Sequence, residues 1–400
     1  MSNKKRIYLD SAATTFVDKK VLQTMIPYFT DNFGNASSIH SFGQDAEASI
    51  LKSKDVISKF LNCDPSEIIF TSGASESNNT VLKGIFDDFK GHLITTMFEH
   101  PSVLEVAKYL SRRGVDVTFI KPERNGIIDY NKVLDAIRED TRLVSIMYVN
   151  NEIGTIQPVA KIGKRIKEIN NSRTSFAKAT GVKKNKILFH TDAVQASYFL
   201  QMDVTRLYCD FLSISSHKIY GPKGVGLLYI KKGIHLTPLI HGGHQENGQR
   251  AGTYNTPGIV GFAKAIEIIL AKNHETEVLK ITKLRDFMIK EVLKIKGVSL
   301  NGSLKDRLPN NANFLFKNVE GEALLLKLDL EGVACSTGSA CASGSLSASH
   351  VLLSIGINPE DAHGSLRVSL NKNNTLAEIK AFIIVLKKAV KDLRNFSPFK

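Results

Sequence analysis

The stretch Leu143-Val144-Ser145-Ile146-Met147-Tyr148-Val149 is almost wholly apolar and stops at Asn150-Asn151-Glu152-Ile153-Gly154. A strand with one wet face alternates; a nearly continuous apolar strand must be covered on both faces, as in a parallel sheet. Strand patterns at Ile68–Phe70, Leu93–Thr96, Val115–Phe119 and Ile187–Gln195 are separated by helical patterns, among them Gln44–Leu61, a helix ending near Arg113, and Tyr130–Arg138. Repeated strand–helix units predict an α/β fold, a mostly parallel sheet with helices on both faces. From about Ile259 the character changes. Two helical patterns, roughly 259–272 and 275–296, precede strands near Val298 and Phe314 and a helix over Gly321–Leu330. Strands at Val333–Cys335 and Gly364–Leu370 and a closing helix from Leu376 to Leu393 follow. At 400 residues the chain is long enough for one large domain and one smaller, α+β domain.

Ligands of such sheets sit beyond the carboxyl ends of the strands. Ser75, His100, Asn151, Asp192 with Gln195, and Lys218 all fall there. Recurrence at one topological position points to a site more strongly than any single residue does. Thr71-Ser72-Gly73-Ala74-Ser75 leads from a strand into a helix, where free backbone N–H groups and the helix dipole favour an anion. An ordinary N-cap at Ser75 reads equally well. The stretch Ser213-Ile214-Ser215-Ser216-His217-Lys218-Ile219-Tyr220-Gly221-Pro222-Lys223-Gly224 is sharper. A lysine ending a buried strand is costly unless it is neutral or covalently used. Ser215, Ser216 and His217 suit a phosphate, and the Lys218 amine suits condensation with an aldehyde. Pyridoxal phosphate requires that pairing; a surface lysine in a turn is the alternative.

The bulk numbers remove other classes. A composition 42% hydrophobic and 23% charged is that of a soluble globular protein. The net charge of +14 is spread along the chain without an aromatic-interleaved basic stripe, so direct nucleic-acid binding is not expected. The basic start Met1–Arg6 has no long apolar run behind it and no membrane-length run follows, which argues against a signal peptide and a membrane span. Cys63, Cys209, Cys335 and Cys341 match neither a disulfide framework nor a zinc site. A reducing cytoplasm and no structural metal are expected. Residues 170–186, polar, basic and without a clear period, read as a surface loop insertion.

Cys335 ends an apolar strand and reads as a small buried hydrophobe. Cys341 lies in the run Ser336–Ser345 of Gly, Ser and Ala, which shields a thiol little, and reads as a nucleophile. Arg367, within Leu366–Leu370, points either to water or into the cleft, where its fork would clamp a carboxylate. The glycine-rich His241–Thr253 reads as a connector or as a second contribution to an anion site.

These motifs together carry a resemblance. Tyr8–Thr15, Thr71–Asn78, Val149–Gly154, Ser216–Gly224, Arg250-Ala251-Gly252-Thr253 and Gly338-Ser339-Ala340-Cys341 resemble, in this order and over nearly the whole chain, the NifS/IscS-type cysteine desulfurases. These belong to the class V branch of the fold-type I pyridoxal phosphate enzymes. The resemblance implies a large cofactor-binding domain over 16–258 and a small domain over 1–15 and 259–400. The small domain would carry the catalytic cysteine on a loop of about 336–350.

It further implies that Lys218 holds the cofactor as a Schiff base and moves protons at the substrate, and that Asp192 pairs with the pyridine nitrogen. His100 would stack on the ring and act in proton transfer. Gln195 would bond the ring hydroxyl, with Asn151 holding ring or substrate. Ala74, Ser75, Ser215 and His217 would hold the phosphate, with Thr253 supplied by the second subunit of a homodimer. Asn35 and Arg367 would grip the carboxylate of L-cysteine. Cys341 would take the sulfur as a persulfide, leaving L-alanine, and its thiolate is able to ligate a nascent iron–sulfur cluster transiently. The implied acceptor is an iron–sulfur scaffold or a tRNA-thiolation enzyme. A selenocysteine lyase or another class V enzyme is the alternative. Departures from the family pattern are Ser75 for Thr, Ala36 for Pro, His244 for Gly, and an end at Ser397-Pro398-Phe399-Lys400 without the longer tail of IscS-type enzymes.

Overall fold

The computed structural model describes residues 6–180, 186–337 and 348–396. Its strands are β1 (Ile7–Tyr8), β2 (Ile68–Thr71), β3 (His92–Thr96), β4 (Asp116–Ile120), β5 (Thr141–Ser145), β6 (Leu188–Asp192), β7 (Phe211–Ser215), β8 (Gly226–Ile230), β9 (Val298–Asn301), β10 (Asn311–Phe316), β11 (Val333–Ala334) and β12 (Ser365–Ser369). The large sheet has the order β2-β8-β7-β6-β5-β3-β4. Its pairings are parallel except that β8 runs antiparallel to β2 and β7.

Alternate residues of these strands enter different cores, as the pleat requires. Ile94, Val144, Leu212 and Leu227 join the cluster containing Ile57, Ile162 and Phe262. Leu93, Leu143, Phe211 and Leu228 join Val81, Leu82 and Leu110 on the other face. Both faces are covered, which is why the strands read as continuous apolar runs. A second sheet, β12-β10-β9, is antiparallel. With the parallel pair β1–β11, it surrounds a separate core that includes Ile7, Leu9, Met288, Phe314, Val368 and Phe382. The helix Thr256–Ile269 places Ile259, Phe262 and Ile266 in the larger core, so the expected boundary at 258/259 falls within its first turns.

Two expectations need correction. Residues 170–180 are not loop; they extend the helix Val159–Thr180. The apolar period that nucleates this helix fades after Ile169, but no Gly or Pro interrupts 164–180 and propagation is cheap once a helix has started. Thr174 and Ser175 hydroxyls donate back to the carbonyls of Asn170 and Asn171 at 2.9 and 3.1 Å. Residues 181–185 lie outside the described residues. The strand expected over 143–149 ends as β5 at Ser145. The chain nevertheless stays along β6, with Ile146 and Tyr148 N–H groups donating to His190 and Asp192 carbonyls at 3.1 and 2.8 Å.

Gly226 opens β8 where the turn after β2 crosses it. A Cβ there would stand 2.7 Å from both Gly73 Cα and the Ile214 carbonyl oxygen, closer than backbone allows. Gly226→Ala should therefore displace the Gly73 turn and cost about 1–3 kcal/mol. Urea unfolding, with cofactor affinity measured beside it, checks this; both should fall.

Candidate active site

The carboxyl ends of β2, β3, β6 and β7 face one cavity of ≈ 520 Å³, lined by Ala74, Ser75, His100, Asn151, Asp192, Gln195, Ser215, His217, Lys218 and Arg367. Lys218 arrives there through one tight turn after β7. Ser216 takes the Ile219 and Gly221 N–H groups on its carbonyl, and a Cβ at Gly221 would lie 2.0 Å from Ser216 Oγ. Tyr220 follows in the left-handed region at φ 65°, a strained choice for a bulky residue. It is held by its N–H donating to Thr15 Oγ1 at 2.9 Å and by its hydroxyl accepting from Lys372 N at 2.9 Å. The turn Asp10–Thr15 closes the other side. Lys218 Nζ donates to the carbonyls of Ala12 and Ala13 at 2.5 and 2.7 Å, and Gln195 Nε2 donates to Ala12 at 3.0 Å. His217 Nδ1 meets Thr14 Oγ1 at 3.1 Å. Burial, with Lys218 and Lys223 nearby, lowers the His217 pKa to about 4, so its imidazole is neutral at pH 7.

Asp192 ends β6 with both oxygens engaged, one by Val194 N–H at 3.0 Å and one by Asn78 Nδ2 at 2.8 Å. Asn78 also donates to Ser102 Oγ at 2.9 Å, and Ser102 meets His100 Nδ1 at 2.8 Å. Because His100 Nδ1 also accepts the Ser102 N–H, the neutral ring carries its proton on Nε2. Burial lowers the His100 pKa, opposed by Asp192 and reinforced by Lys218. Asn151 is presented by a turn that Asn150 builds: its Oδ1 accepts Glu152 and Ile153 N–H groups at 2.9 and 3.0 Å. Arg367 on β12 is 3% exposed and turns inward, not to water. It donates to the Asn151 carbonyl at 3.1 Å and to Asp10 Oδ1 at 3.0 Å.

The helix Ala74–Ile85 begins at Gly73 with no side-chain cap, so Ser75 lies inside the first turn and is not its N-cap. An uncapped helix start beside Ser215 and His217 suits a phosphate. An acceptor-only carboxylate at Asp192 suits a protonated ring nitrogen, and the Lys218 amine suits an aldehyde. The donor set therefore fits pyridoxal phosphate.

Not every expected residue joins the wall. Asn35 is exposed, its Oδ1 accepting Ser37 N–H at 3.0 Å, and it does not line the cavity. Thr253 lines a smaller adjoining cavity of ≈ 100 Å³ with Thr71, Ser72 and Gly224. Cys341 lies outside the described residues. Cys335 packs half-buried on the smaller core, and burial pushes its thiol pKa up, as suits an inert residue. Sequence reading missed Asp10, the Ala12 and Ala13 carbonyls, Asn78 and Ser102. Asn78 had a signal: it follows Ser75 by three positions on the helix that opens at the anion site.

Behind His100, Glu99 is fully buried. Its Oε1 accepts from Thr96 Oγ1 at 2.7 Å and Met147 N at 3.0 Å. Burial raises its pKa to about 8. The folded chain thus keeps a proton that the unfolded chain releases above 4.5. The stability this proton contributes is complete below 4.5 and is lost as pH rises to about 8. Relative to wild type, Glu99→Gln should gain stability across that window by as much as ~4 kcal/mol; denaturant unfolding from pH 4 to 8.5 measures the difference.

The class V aminotransferase family model matches residues 7–382. The cysteine desulfurase IscS of Dictyoglomus turgidum is 46% identical over 99% of this chain and 98% of its own length. That of Methanosarcina thermophila is 44% identical over 98% and 94%. Among solved structures, a NifS-like protein superposes with a TM-score of 0.88 at 37% identity, covering 97% of this chain and all of its own. SspA in complex with cysteine gives 0.79 at 36%, covering 93% of this chain and all of its own. With the lysine, aspartate, histidine and anion-cradle stations gathered in one cavity, this chain belongs to the class V aminotransferase family, and within it to the pyridoxal phosphate-dependent cysteine desulfurases of the NifS/IscS type.

Proposed function

We propose that this protein removes sulfur from L-cysteine, leaves L-alanine and a persulfide on Cys341, and passes that sulfur to an acceptor protein. The observation that carries the reading is the convergence of Lys218, Asp192 and Arg367 on one cavity. It gives that cavity an amine for the cofactor, a carboxylate for the ring and a guanidinium for the substrate carboxylate. Pyridoxal phosphate, when bound, supplies the electron sink that stabilises negative charge at the substrate α-carbon. Ser75, Ser215, His217 and the Ala74 N–H hold its phosphate, Asp192 its ring nitrogen, Gln195 its ring hydroxyl, and His100 its ring face. Arg367 grips the carboxylate of L-cysteine, with Asn151 beside it. Lys218 carries the α-proton, and His100 with its Nε2 proton serves as a further donor.

Cys341 acts as a thiolate. It attacks the substrate sulfur; the S–S bond forms and the Cβ–S bond breaks, the bonding electrons leaving with the carbon skeleton. One proton, released when the Cys341 thiol ionises, completes the alanine methyl group. The α-proton carried by Lys218 returns to the α-carbon and the substrate thiol proton stays on the persulfide, so no external oxidant enters. The acceptor in this reading is an iron–sulfur scaffold, with a tRNA-thiolation enzyme as a second destination, and the setting is the cytoplasm. No helix among the described residues is long and apolar enough to cross a membrane.

The working form in this reading is a homodimer. Ile26, Phe29, Phe33, Ile39 and Phe42 are 53–93% exposed, an apolar concentration that a second copy would cover. Thr253, outside its own chain's cavity wall, would serve the partner's phosphate site. Phe42→Asp should shift the dimer toward monomer in light scattering and weaken cofactor retention with it.

The decisive assay supplies holoenzyme with L-cysteine and a thiol reductant and quantifies alanine and sulfide. Equal yields are expected, with Cys341→Ala reducing sulfide release about a hundredfold or more. Undiminished release by that variant would remove Cys341 from the chemistry.

A further inference from the structure

Arg367 offers five N–H donors, and the described residues engage two of them, through the Asn151 carbonyl and Asp10 Oδ1. Its Nε is buried with no protein acceptor among the described residues. A guanidinium 3% exposed needs a counter-charge, and Asp10 provides it. Asp10 is itself gripped. Its second oxygen accepts Ser336 Oγ at 2.7 Å, and its backbone bridges Ser369 on β12. Ser336 and Arg367 in turn exchange both backbone hydrogen bonds, at 2.7 and 3.3 Å. The carboxylate therefore stands in a corner made by three backbone segments that are hydrogen-bonded to one another, and its place relative to the guanidinium is fixed.

We infer that Asp10 is a positioning residue for carboxylate recognition. It holds one end of the Arg367 guanidinium so that its remaining donors stay available to the substrate carboxylate. Asp10 does not line the cavity, so it acts on substrate only through Arg367. Beyond the counter-charge that keeps Arg367 buried, its contribution to recognition is orientation, because the bond to Arg367 sets the plane of the fork. The inference rests on the reading of Arg367 as the carboxylate anchor.

Equilibrium binding of L-alanine to the holoenzyme, followed by the cofactor absorbance, tests it, with ethylamine, which is alanine without its carboxylate, as the control ligand. Asp10→Ala should weaken alanine binding about tenfold, the usual scale of one charge-assisted hydrogen bond, and raise KM for L-cysteine in parallel. Its kcat should stay within about twofold, and ethylamine binding should not move. Asp10→Asn keeps the acceptor oxygen without the charge and should recover most of the lost affinity. Ser336→Ala frees only the far oxygen and should weaken alanine binding about twofold. Unchanged alanine affinity in Asp10→Ala, tighter binding, or equal loss for alanine and ethylamine would overturn the inference. If Asp10→Ala does not fold, Asp10→Asn and Ser336→Ala decide. Wild-type affinity in Ser336→Ala together with loss in Asp10→Asn as great as in Arg367→Ala would overturn it, since charge and not orientation would then govern. Arg367→Ala separates the two levels: if it leaves alanine binding intact, the anchor reading fails before Asp10 is in question.

Discussion

An ammonium at the end of a buried strand is tolerable only where acceptors come to meet it. At Lys218 the acceptors are the backbone carbonyls of Ala12 and Ala13, the former 206 residues upstream. The turn that brings them also supplies the Ala12 carbonyl to Gln195 and the Thr14 hydroxyl to His217. Its first residue supplies the carboxylate that faces Arg367. The lysine hangs from the large sheet and the arginine from the antiparallel sheet over the second core. The turn Asp10–Thr15, to which both are bonded, therefore ties the lysine to the arginine, together with the bond from Arg367 to the Asn151 carbonyl.

Much of this was legible in the sequence because the large sheet is buried on both faces. The strand ends carry polar residues that face the cavity: β6 stops at Asp192 and β7 at Ser215, although His190, Thr191 and Ser213 are buried within the same strands. His100, Asn151, Asp192 and Lys218 could be placed at one edge on that ground alone. The same logic failed where the signal lay in the backbone. Ala12 and Ala13 have no side-chain chemistry to read, and their carbonyls matter only because β1 pairs with β11 at the far end of the chain. Period reading also failed at 170–180, where the helix persists after its apolar stripe has ended.

Asn35 and Thr253 mark a different limit. Both were assigned through resemblance, and neither lines the cavity of its own chain. Asn35 spends its side chain on a local turn, and Thr253 sits one cavity away. A sequence records residue types along one chain and says nothing of which copy they serve. The exposed apolar side chains over 26–42 give a physical reason for a second copy, whereas the motif alone gives only a precedent.

The electrostatics of the cavity follow from how its charges are divided. Asp192 is fixed by two N–H donors, so its carboxylate is set in place before any ligand arrives. His100 and His217 are kept neutral chiefly by burial, which leaves the positive charge of the site to lysine and arginine. That division suits the proposed chemistry at a substrate α-carbon: a guanidinium for the carboxylate, hydroxyl and N–H donors for the phosphate, and neutral rings for proton exchange. A protonated imidazole at His217 would add attraction for phosphate, but it would also stand beside Lys218 and disfavour its ammonium. Burial of His217 thus gives up attraction for phosphate and keeps a second positive charge away from the adjacent lysine.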